Sequence, residues 1–149
     1  MSTWAEFEAA APELAAIGRQ LTEKVPIMYL ATVRSDGAPR VHPVCPIWAG
    51  GRVYVAVAPI SPKRWDLRGD GRYALHALPG KQDAEFYVTG LARLVPGGDE
   101  RAAVVAAAGH TVHPGDDVFE LGIDQAMTAH WENWAQPDTY PVRRWWPPR

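Results

Sequence analysis

Ser61, Lys63 and Arg64 stand together in the stretch PISPKRWDLRGD, residues 59–70, where Trp65 and Leu67 have the look of helix anchors. A helix start that offers backbone N–H groups beside a hydroxyl and two cations suits a phosphate, because the helix dipole and the side-chain charges both favour an anion. On composition alone a solvated basic turn is the commoner reading of the same Lys-Arg pair, and the order of the surrounding elements has to decide against it. His42 is the second residue of chemical interest. It falls in a strand-like run, where its imidazole can hydrogen-bond a ligand or be satisfied by a neighbour.

Other chemistries find little support. The one cysteine, Cys45, excludes an internal disulfide. It lies in the apolar run Val44, Cys45, Pro46, Ile47 and is expected to act as a small buried hydrophobe. His110 and His113 come with no cysteine pair and no His-Glu-Xaa-Xaa-His helix, so no metal site is expected. His76 and His130 read as structural. No Ser/His/Asp set and no carboxylate pair presents itself, so no residue is singled out as catalytic. With 15 basic and 17 acidic residues, net charge −2 and no like-charge block, the chain lacks the electrostatic footprint of a nucleic-acid binder. It has no long apolar segment, and acidic residues stand where a signal peptide would be basic. No membrane partner is expected, and the cytoplasm is the expected compartment.

The elements that must position these residues follow from pattern. Length and a 47% hydrophobic content fit one domain spanning residues 1–149. Ser2 or Thr3 can cap a helix with Trp4 and Phe7, and Pro12 opens a second stretch with Leu14, Ile17 and Leu21 on one face. From residue 27 the period changes to that of strands: 27–34, 40–49, 52–58, 73–78, 85–95 and 118–123. Asp36-Gly37 and Gly50-Gly51 are the turn signals between the first three, and Gly90 marks a bulge or a close backbone approach. Asp99 is placed to cap an alanine-rich helix ending at Gly109. The segment from Tyr140 to Pro148 is too proline-rich for a central strand and too aromatic for a solvated tail. The expectation is an α+β, mainly β fold: a six-stranded antiparallel barrel with short flanking helices.

The order of segments over about residues 24–97 resembles the pyridoxamine 5'-phosphate oxidase-like family of split barrels. The resemblance is carried by Leu30-Ala31-Thr32-Val33, by Asp36 to Val44, by Gly51 to Val55, by Ser61-Pro62-Lys63-Arg64-Trp65-Asp66-Leu67 and by Glu85 to Gly90. It implies a homodimer that binds FMN, or the deazaflavin coenzyme F420, in two clefts at the interface. It also implies a backbone of Arg40, Val41, His42, Pro43 and Val44 along the cofactor ring. Val57 and Ala58 would lie near the phosphate-bearing chain, Ser61, Lys63 and Arg64 would hold the phosphate, and Glu85 would reach the flavin. The sequence departs from the family where Val57 or Ala58 fills the hydroxyl position and Pro62 precedes Lys63. Counterparts of the C-terminal Arg and His that recognise pyridoxal phosphate are absent, which disfavours vitamin B6 oxidation.

The function implied is hydride transfer to a small organic substrate, with the cofactor carrying the chemistry and the protein supplying binding and orientation. The alternative is a carrier or sensor of the same fold that holds FMN, F420 or haem without turnover.

Overall fold

The computed structural model describes residues 1–148. Helix α1 (Trp4–Ala10) starts at Thr3, whose hydroxyl accepts from the Glu6 amide while the Glu6 carboxylate accepts from the Thr3 amide. Pro12 breaks it from α2 (Pro12–Lys24). Trp4 and Phe7 go fully into the core, where Trp4 meets Phe7 at 5.1 Å and Trp48 at 4.6 Å, both edge to face. At Gly18 a Cβ would stand 2.6 Å from the Phe86 ring, so α2 lies directly on the sheet.

Eight antiparallel strands follow: β1 (Met28–Val33), β2 (Pro39–Val44), β3 (Ile47–Ala49), β4 (Arg52–Val57), β5 (Arg72–Ala77), β6 (Glu85–Val95), β7 (Asp117–Glu132) and β8 (Tyr140–Trp146). Helix α3 (Lys63–Gly69) joins β4 to β5, and α4 (Gly98–Ala107) joins β6 to β7. The sheet order is β2-β1-β5-β6-β7-β4-β3, with β8 paired to β7. The two ends of that order, β2 and β3, are consecutive in the chain and separated only by Cys45 and Pro46. The sheet therefore curls until its edges approach without pairing: this is the α+β split barrel expected, built from more strands.

The count rises from six to eight for two physical reasons. Pro46 has no N–H to give a ladder, so the single strand expected over 40–49 breaks into β2 and β3. The segment expected only to pack becomes β8, an edge strand, where Pro141 is tolerated. The sixth strand expected at 118–123 runs on as β7 through Glu132. The α4 cap also differs: Gly97, at φ 146°, precedes the helix, and Asp99 sits inside the first turn. Its last helical residue is Ala107, just short of the Gly109 that marks the expected end. Gly90 does what its position suggested. The β6–β7 register shifts between Thr89 and Gly90, and a Cβ there would stand 1.9 Å from the Gly122 carbonyl oxygen.

Candidate functional site

A cleft of about 270 Å³ opens at the seam of the barrel, lined by Ile27, Pro43, Val44, Cys45, Ala56, Lys63 and His110. Each wall comes from a different part of the chain: the approach to β1, the end of β2, the last part of β4, the start of α3 and the loop after α4. The seam itself creates the opening, because no ladder joins the end of β2 to β4.

Asp66 fixes α3 against this seam. Its buried carboxylate accepts from the Thr32 hydroxyl at 2.7 Å and from Arg40 Nε at 2.8 Å. Lys63 is thereby held in the cleft wall, where its ammonium donates to the Ser61 hydroxyl at 3.0 Å. Burial pushes the Lys63 pKa below its ordinary value. His42 lies close enough to feel the same charges. Burial first, then Lys63 and Arg40, push its pKa down, and Asp66 opposes them. A lowered value leaves the imidazole neutral near pH 7, able to accept as well as donate.

Of the residues singled out by sequence, the structure brings Pro43, Val44 and Lys63 into the cleft lining, with Ser61, His42 and Arg40 beside them. Val41 shares the outward face of β2 with Pro43, is 59% exposed and does not line the cleft. Val57 buries its side chain in the core, and Ala58 is an exposed residue whose carbonyl accepts from the Ser61 amide. Arg64 is committed elsewhere. Together with Arg68 it grips the buried carboxylate of Asp117, Nε to Oδ2 at 2.8 and 2.6 Å respectively. Glu85 opens β6, three strands from β2, and does not line the cleft of its own chain.

The expected row of free amides at the start of α3 is not what forms. Pro62 has no N–H, and the amides of Arg64, Trp65 and Asp66 donate back to the carbonyls of Ser61, Pro62 and Pro62. An anion here would rest on side chains. Cys45 is a correction of another kind: it is exposed and lines the cleft, in the same outward phase as Pro39, Val41 and Pro43 of β2. Cys45, His110, Ile27 and Ala56 were missed as cleft residues. His110 carried no signal beyond its place after a helix end, and only the fold brings that loop to the seam.

No protein-family model and no curated protein sequence matches the chain. Solved structures do match in fold. A heme binding protein from Mycobacterium smegmatis superposes with TM-score 0.63 at 21% identity, covering 88% of this chain and 58% of that one. The chain thus spans a little over half the length of that protein. HutZ, a heme storage protein from Vibrio cholerae, gives TM-score 0.63 at 14% identity over 74% of this chain and 90% of that one. A protein of the pyridoxinephosphate oxidase family from Clostridium acetobutylicum gives TM-score 0.57 at 10% identity over 84% and 90%. At these identities the likeness is one of fold, and it supports the split barrel. Among the described residues, no helix is long and apolar enough to cross a membrane. Nor is any group of three or more His, Cys, Asp or Glu placed to hold a metal ion.

Proposed function

We propose that this split barrel binds a flavin-type cofactor, FMN or coenzyme F420, at the seam cleft and uses it for hydride transfer to a small organic substrate, as a homodimer with two clefts at its interface. The observation that carries the reading is the convergence of Pro43 and Val44, from the end of β2, and Lys63, from the start of α3, on one cleft. The donor set fits such a group: an ammonium and a hydroxyl for its anionic end, and apolar walls for its ring. A bound flavin or deazaflavin supplies the redox chemistry itself.

The chain's own residues then bind, orient and exclude water. Lys63 neutralises the anion, and the Ser61 hydroxyl, already on Lys63 Nζ, orients it. Asp66 keeps α3 and Arg40 in register with the β2 backbone along which the ring would lie. Ile27, Val41, Ile60 and Trp65 are large apolar residues left exposed, the last two at 94% and 63%. A second copy packed over these residues would dry the cleft. Titrating purified protein with FMN and with F420 tests the reading: one of them binds tightly and weakens in Lys63→Ala. Binding of neither overturns it.

The second reading is a haem-binding carrier of the same fold. It is favoured by an anion site made of side chains rather than helix amides, which serves a carboxylate as well as a phosphate, and by the likeness to two structures described as haem proteins. Haem retained without turnover of any reductant-dependent substrate supports it.

A further inference from the structure

The loop from α4 to β7 carries His110 to the seam on two apolar anchors. Ala108 and Val112 pack against the smaller core of Ile47, Tyr54, Val95, Val104 and Val118, and Gly109, His110 and Thr111 between them are exposed. Ala56 packs against the same core and lines the cleft, so the cleft wall and the anchors of the loop share one support. The rest of the loop is pinned as well. Arg101 of α4 donates to the carbonyls of Asp116 at 2.9 Å and His113 at 3.0 Å, and the His113 amide donates to the Asp116 carboxylate at 2.8 Å. Apolar anchors and charge-assisted bonds together present His110 to the cleft from fixed structure.

Among the described residues, the lining of that cleft holds two side chains with nitrogen donors, Lys63 and His110, and no carboxylate. The carboxylates of the flanking elements are taken: Asp66 by Thr32 and Arg40, Asp117 by Arg64 and Arg68, and Asp116 by the His113 amide. The His110 imidazole makes no hydrogen bond or ion pair among the described residues. Lys63, bonded to the Ser61 hydroxyl, comes from α3, whereas His110 comes from the loop after α4. An anion between them meets donors from two walls. A phosphomonoester offers three acceptor oxygens and nearly two negative charges near neutral pH, enough to occupy both arms at once. A phosphodiester has two free oxygens and one charge, which the ammonium and the hydroxyl already satisfy.

We propose that His110 is the second arm of the anion site in the seam cleft and that the pair selects a phosphomonoester, so that the cofactor taken there is FMN rather than F420, a phosphodiester. The proposal rests on the flavin-type reading above and adds to it the choice of cofactor. The test is a fluorescence titration of the full chain with FMN, riboflavin and F420, in wild type, His110→Ala and Lys63→Ala, with thermal melting of each unliganded protein to check folding. Riboflavin carries the FMN ring without its phosphate. The ratio of the FMN and riboflavin affinities therefore isolates the anion site from ring packing and from any general loosening of the loop. The expected result is a preference for FMN over riboflavin of about a hundredfold in wild type, of which each variant loses about tenfold through FMN alone. F420 binds more weakly than FMN, and His110→Ala leaves its affinity unchanged. An unchanged preference for FMN over riboflavin in His110→Ala overturns the role of His110, and tighter binding of F420 than of FMN by wild type overturns the choice of FMN. Both of those results leave the seam cleft as a cofactor site. Binding of neither FMN nor F420 overturns the cofactor reading and this inference together.

Discussion

Lys63 and Asp117 divide the charge at the start of α3 between them. Asp117 takes both guanidiniums of Arg64 and Arg68, which leaves Lys63 as the cation in the cleft lining. Replacing Lys63 with alanine removes one charge-assisted contact and should weaken an anionic cofactor about tenfold or more, measured by fluorescence titration, with little change in melting temperature. Asp117 behaves oppositely. Its loss unpairs two guanidiniums at a buried carboxylate site, so Asp117→Ala should cost about 2–3 kcal/mol by denaturant unfolding. Arg68 first, then Arg64, hold the Asp117 pKa below its ordinary value against the opposing effect of burial. A depressed carboxylate pKa adds stability that is present above the unfolded value near 4 and lost as pH falls through the folded one. Melting temperature should therefore fall more steeply below about pH 4 in wild type than in Asp117→Asn. This division also explains what was legible. Lys63, Pro43 and Val44 could be read from the order of segments. The partner of Arg64 lies 53 residues away, and no local pattern announces it.

At the scale of elements, the turn and bulge residues spoke plainly and the proline-bearing strands did not. Gly37, Gly50 and Gly51 adopt positive φ at the turns their dipeptides mark, at 82°, 55° and 71°. Gly90 is the sharpest case, since a side chain there would collide with the backbone of β7. Gly90→Ala should destabilise by about 3 kcal/mol or fail to fold, and chemical denaturation of the soluble fraction measures it. The break at Pro46 and the edge strand β8 escaped pattern reading because proline is compatible with a strand only where its neighbours leave the N–H side unpaired. That condition is tertiary. The break at Pro46 matters most for function, because it lies at the seam where the cleft opens.

At the scale of the molecule, the barrel and its class were readable, because antiparallel order follows from turn spacing. The cleft was readable only as a list of residues, since its walls join the ends of a sheet that closes late in the chain. A homodimer is expected to cover Ile60 and Trp65. Light scattering should return twice the chain mass, and Trp65→Glu should reduce it toward one. The central claim is that the seam cleft holds an anionic redox cofactor through Lys63. Its most direct test is equilibrium binding of FMN and F420 to wild type and Lys63→Ala. One cofactor bound tightly, with affinity lost in the variant, is the predicted result; no binding, or equal binding by both proteins, would contradict it.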